Sequence, residues 1–238
     1  MFKRVFGLIG FILCVMACSS EELASSNNNP AKSLHPLSRF FYPIQDQPKV
    51  YVYRDTVQGL QEEFHRIYNV EDFAGLHLVV ETYTREGVLS EAINYNVDSL
   101  DVQDHMVVNR YGRKEKAMVY KRFLYPTNIK DETWFASKFS GTKDSTVILY
   151  EVFRKYLKPG SFRLDQQEST VKTIIFNDKI RVTELNPFEH TEQEKWAERI
   201  AVFAENIGLV SYYNPQKSTY FKLEKIMDQK DWLKIIRR

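Results

Sequence analysis

The chain has 238 residues, with 33 lysines and arginines against 31 aspartates and glutamates, a formal net charge of +2, and two cysteines. Nearly balanced charge argues against nucleic-acid binding, which draws most of its affinity from clustered cations facing phosphates. Two cysteines exclude a disulfide scaffold, so a hydrophobic core must hold the fold, and 43% hydrophobic and 14% aromatic residues suffice to build one.

In chain order, residues 1–17 come first. Lys3 and Arg4 precede an apolar run over 5–16, and small Ala17 ends it, which is the order of parts in a secretory signal peptide. The run is shorter than the roughly 20 apolar residues needed to cross a bilayer. Ala17-Cys18 resembles a bacterial lipobox, although Val15 and Met16 are looser than the usual residues at those places. The resemblance implies cleavage before Cys18, acylation of its thiol and new amine, and a stable membrane anchor, because each buried methylene contributes about 0.8 kcal/mol. The bland alternative is an ordinary signal with a chance cysteine. Cleavage would discard Cys14 and two cations, leaving 31 bases against 31 acids and one cysteine at the new terminus. Residues 18–33, polar and containing Pro30, read as a lipidated flexible tether, and residues 34–238 as a single mainly antiparallel β domain.

From Lys49 onward the dominant period is two. "KVYVYRDTVQ" and "LQEEFHRIYNV" flank a turn at Gln58-Gly59, and "HLVVETYT" and "VLSEAINYNV" flank one at Glu86-Gly87. "DHMVVNRY" and "KAMVYKRFLYP" continue the series. Residues 130–145 show little regular pattern and read as an aromatic-bearing loop to watch for binding. "STVILYEVFRKYL" reads as a central strand, and "KTIIF" and "KIRVTEL" as a hairpin turning at Asn177-Asp178. Residues 191–204 suit either a helix, with Thr191 and Glu194 as capping box, or a strand. Gly208 in an apolar strand marks a bend, and Trp232, Ile235 and Ile236 suit a short docking helix. About ten strands with one or two short helices predict an all-β fold of meander topology, built as a large curved antiparallel sheet or partly open barrel. A concave face so formed could hold an apolar ligand or be filled by side chains.

"FAENIGLVSYY" at residues 203–213, together with Cys18, the "YRD" near Tyr53 and "DSTVILYE", resembles outer-membrane lipoproteins of the Bacteroidota, a group of unknown function. That resemblance implies an outer-membrane lipid anchor, on the periplasmic or the cell-surface side, and brings no catalytic motif. It also implies two modifications by analogy. Glu21 and Glu22 resemble a surface-export signal, against a plain reading as solvated linker charge. Asp-Ser/Thr-x sites resemble O-glycosylation acceptors at Thr56, Ser99 and Ser145, against a plain reading as turn chemistry.

No His-Glu-x-x-His, serine elbow, phosphate loop or dinucleotide fingerprint occurs, so neither a metal nor a cofactor is expected. The remaining metal idea is convergence of His65 near Glu62 and Glu63 with His105 beside Asp104; satisfied strand histidines are commoner. A pair of facing carboxylates, as in a glycan hydrolase, is not nominated by any spacing. Residues 46–104 carry twelve acids against four bases, and 105–143 nine bases against three acids. Cross-strand charge pairing or a partner-binding patch would each explain this asymmetry. The expected function is therefore a non-enzymatic, lipid-anchored envelope protein that binds a protein partner in an assembly. A carrier of a lipid or other apolar ligand is the alternative, and a glycan hydrolase a more distant one.

Overall fold

The structure is a computed structural model, and it describes residues 34–236 apart from 58, 60, 110, 144 and 164–169. The expected signal peptide, Cys18, Glu21, Glu22 and the expected tether lie outside the described residues. After a 3-10 turn at Ser38–Phe40 come twelve strands. They are β1 (Lys49–Asp55), β2 (Glu62–Asp72), β3 (Gly75–Thr84), β4 (Leu89–Asn96), β5 (Val102–Val108) and β6 (Lys114–Arg122), then β7 (Thr133–Ser140), β8 (Val147–Arg163), β9 (Thr170–Asn186), β10 (Thr191–Ala204), β11 (Gly208–Asn214) and β12 (Thr219–Asp228). A helix, α1 (Gln229–Ile236), follows.

Each strand pairs antiparallel with the next, and β12 returns to pair with β1, so the meander closes into a barrel. The predicted all-β meander is what the structure shows, with full closure and two further strands. One of these is β7, inside the stretch read as a loop. Its pattern is short but regular: Phe135 and Ser137 point inward and are buried, while Trp134 faces out. The ambiguous segment is β10, with Phe203 buried inside and Trp196 exposed outside. There is no hairpin at Asn177-Asp178. Both residues lie mid-strand in β9, paired throughout with β8 and β10, and neither adopts the positive φ that a tight hairpin turn requires.

An eight-stranded barrel is already just filled by its own side chains, and diameter grows with strand number. Twelve strands therefore need extra filling. Residues 37–42 supply it at one end, placing Leu37, Phe40, Phe41 and Tyr42 in the core, and the β6–β7 connection adds Leu124 and Tyr125. The Phe41 ring meets Tyr95 at 5.0 Å and Tyr125 at 5.1 Å, both edge to face, the arrangement aromatic quadrupoles prefer. Outside the barrel α1 docks Trp232 onto Val50, Val52, Phe64 and Tyr83. Ile236 packs there too, but Leu233 takes the contact expected of Ile235, which stays exposed.

Gly208 opens β11 where the inserted segment touches the wall. Its φ is +95°, and an added Cβ would lie 2.4 Å from Cδ1 of the Tyr42 ring. The bend expected there is thus a close approach, and β10 and β11 shift register beside it, between Val202 and Phe203. Gly208→Ala should destabilise the protein by about 2 kcal/mol or more, from backbone strain and a displaced ring together. Gly112→Asn, in open space with φ +71°, should cost under about 1 kcal/mol. Urea unfolding of both variants checks this; equal losses would contradict the packing.

Candidate functional site

The inward row of β8, β9 and β10 carries three charges at directly opposed positions, since Arg154 pairs with Asp178 and Asp178 with Arg199. Cross-strand neighbours stand about 4.5–5.5 Å apart at Cβ, close enough to ion-pair directly. Arg154 donates from Nε to Oδ1 at 2.7 Å and from Nη2 to Oδ2 at 2.9 Å, a two-pronged contact. Arg199 adds Nε at 3.1 Å and Nη2 at 2.9 Å, both to Oδ2. Burial alone would raise the Asp178 carboxyl, but the charges of Arg154 and Arg199 overcome it and hold the group below the ordinary carboxylate range. The Arg154 guanidinium lies 4.7 Å from the Tyr125 ring centre, 5.1 Å from Phe176 and 5.2 Å from Phe203, a cation enclosed by aromatic faces.

Two hydrogen-bonded chains flank this triad. In one, Ser137 Oγ lies 2.9 Å from His105 Nδ1, and His105 Nε2 lies 3.3 Å from Glu91 Oε2. Burial works to raise Glu91, yet the His105 hydrogen bond and the positive field of His105, Arg199 and His65 hold it below its ordinary value. In the other, Tyr42 Oη approaches His65 Nδ1 at 3.3 Å, His65 Nε2 meets Glu63 Oε1 at 2.6 Å, and Tyr212 donates to the same oxygen at 2.8 Å. Burial pushes the phenols of Tyr42, Tyr53, Tyr95 and Tyr212 well above their ordinary value, so they act as hydrogen-bonding groups, not as phenolates.

Ser, His and Glu in series have the membership of a hydrolytic triad but not its arrangement. A nucleophile must meet substrate, and Ser137 is fully buried. The lumen cavity, lined among others by Arg154, Arg199, Glu91, Tyr125 and Tyr150, has a volume of about 80 Å³. That is room for a few waters at roughly 30 Å³ each, far below the roughly 300–1,000 Å³ of ligand sites. The predicted concave face is therefore filled. His65 does meet Glu63, but Glu62 turns to Arg54, and His105 meets Glu91 while Asp104 pairs outside with Lys116 at 2.5 Å. The two histidines do not converge, and among the described residues no cluster of three or more ligating side chains forms.

The Lys116–Asp104 pair joins the basic and acidic blocks across β5 and β6, whereas Arg54–Glu62 and Arg66–Glu81 pair within the acidic block. Of the acceptor positions, Thr56 is exposed just past β1 with Oγ1 donating to the Tyr220 carbonyl at 3.2 Å. Ser145 is exposed at φ +65° between β7 and β8. Ser99 is half-buried in the β4–β5 turn, bonded to Asn96 Oδ1 at 3.3 Å.

On the outer surface, rings and cations from five strands run in a stripe. Lys121 sits over Trp134, Trp134 stacks on Phe153 (5.8 Å, 16°), and Phe153 on Trp196 (6.2 Å, 26°). Arg181 covers Phe153 and Trp196, tied to Glu151 at 2.6 Å and to Glu194 at 3.8 Å. Trp196 also donates its indole N–H to Glu194 and remains 51% exposed, and Phe188 at the β9–β10 turn is 78% exposed.

Removing one partner of a buried pair leaves an uncompensated charge, so Asp178→Asn should cost about 3–5 kcal/mol of folding stability. The pH dependence has a definite sign. An unfolded aspartate titrates near 3.9 and folded Asp178 lower, so its contribution is complete above about pH 5 and is lost as pH falls through the folded value. Denaturant unfolding from about pH 6 down to pH 3 should show the wild type losing more stability than Asp178→Asn. Parallel curves would contradict the triad.

No protein-family model and no curated protein matches the chain. Among solved structures, the chain is similar to a "putative lipoprotein" from Parabacteroides distasonis, at 12% identity and TM-score 0.44, over 79% of this chain and 98% of that one. It is also similar to a "putative exported protein with YmcC-like fold" from Bacteroides fragilis, at 15% identity and TM-score 0.39, over 80% of this chain and 100% of that one.

Proposed function

We propose that the chain is a non-enzymatic envelope protein, held at the outer membrane by acyl chains on Cys18, whose barrel serves as a binding or accessory subunit of an envelope assembly. The anchor rests on the Ala17-Cys18 signal. The single observation that carries the binding role is the exposure of two large aromatic side chains on the outer β9–β10 surface. Inside, Asp178, Glu91 and Glu63 are each engaged by arginine, histidine or tyrosine. Outside, Phe188 and half of Trp196 are exposed to water, and aromatic side chains are enriched where partners bind.

Carriage of an apolar ligand stands second. One feature favours it, an apolar cleft of about 230 Å³ bounded by Leu34, Phe41, Ile44, Leu78 and Leu100. It falls below the usual range for ligand sites. Glycan hydrolysis is weaker still, because the lumen carboxylates are engaged and the cavity has no room for a sugar ring.

A photoreactive residue placed at Trp196 in intact cells tests the reading. Anchored protein should give a discrete adduct of one mass, and the Cys18→Ser background should lose most of it. No discrete adduct at Trp196, nor at the exposed outer positions Met118 and Tyr120, would contradict a partner-binding role.

A further inference from the structure

The ribbon formed by β9 and β10 runs past the end of its neighbour. β10 pairs with β9 along its whole length, from Thr191 to Ala204, but β11 joins it only from Ile200 onward. Among the described residues no strand pairs with 191–199 on the β11 side. The direction of the free groups can be read from one bond. Glu198 N–H donates to the Gln216 side-chain oxygen at 3.0 Å, so it points away from β9. Backbone direction alternates along an antiparallel strand, which turns the N–H and C=O of Trp196, Glu194 and Glu192 the same way. A row of donors and acceptors therefore faces water beside exposed side chains.

The side chains along that row share a sign. Glu192, Glu194 and Glu198 lie on the same face as Trp196, while Lys195 alternates to the other. The compensating cations, Lys179 and Arg181, stand one strand back on β9, and Arg181 is already held by Glu151 and Glu194. An acidic edge repels a second copy of itself and attracts an extended segment carrying cations at every second position.

We propose that the open edge of β10 over residues 191–198 is a strand-addition site for an extended basic segment of a partner protein. The added strand would complete the ladder on Glu192, Glu194 and Trp196. Its alternate lysines or arginines would meet Glu192, Glu194 and Glu198, and an apolar side chain between them would cover Trp196. Main-chain bonds supply affinity in such pairing and alternate side chains supply selectivity. The inference rests on the partner-binding reading above and names the chemistry of the partner.

The probe is a fluorescent peptide of about seven residues alternating lysine with threonine or valine, set against its glutamate counterpart. Anisotropy at low salt should show the lysine peptide binding and the glutamate peptide not, with affinity falling as salt rises. Glu194→Pro removes an outward N–H and leaves the β9 ladder whole, since proline is tolerated where the N–H faces away from the sheet. It should weaken the lysine peptide about tenfold or more. The double change Glu192→Lys with Glu198→Lys, which needs no backbone alteration, should transfer preference to the glutamate peptide. Equal binding of both peptides, or an unchanged preference in the charge-reversed protein, overturns the edge as the site. No binding of either peptide overturns it as well. A discrete cellular adduct at Trp196 obtained alongside such results would leave the broader partner-binding role standing, so the two failures are distinguishable.

Discussion

Two guanidinium groups on nearby strands can occupy the inside of a barrel only with an anion between them, and Asp178 is that anion. It accepts four hydrogen bonds, two from Arg154 and two from Arg199, and fixes β8, β9 and β10 to one another at matched positions. In a low-dielectric interior the penalty for an unpaired charge exceeds the gain from any single contact, so the row works as a register lock: a slip of β9 by one residue would turn Asp178 outward and strand both arginines. The aromatic groups around Arg154, together with residues 37–42, then occupy the space that twelve strands would otherwise enclose.

A barrel filled in this way has most of its inward polar groups bonded to one another. Ser137, His105, His65, Glu91 and Glu63 bond among themselves, and the remaining gap has room for only a few waters. The outer stripe from Lys121 to Trp196 packs rings across β7, β8 and β10 beside the ribbon that extends beyond β11.

Much of the fold was legible in sequence. Alternation in "VLSEAINYNV" marks β4, whereas β1 is apolar on both faces because α1 covers Val50 and Val52 from outside. The mistaken hairpin falls where charge stands on the inward face. Asp178 beside Asn177 has the composition of a turn, yet it shares parity with Ile174, Phe176 and Ile180 on one uninterrupted strand. Arg154 likewise shares parity with Tyr150 and Val152, and Arg199 with Ala201 and Phe203. Three isolated charges on apolar parity were the available signal for the triad. Which acid meets which base was not legible, since pairing depends on register between strands distant in sequence. Closure was not legible either: the first and last strands, β1 and β12, meet only in space.

The most direct measurement is amide hydrogen exchange resolved by residue. If the Asp178 row locks the barrel, the amides of β8 and β9 around Val152, Arg154, Phe176 and Asp178 should exchange only through global unfolding, as the slowest in the molecule. Rapid exchange at those amides, with greater protection elsewhere in the barrel, would contradict the account.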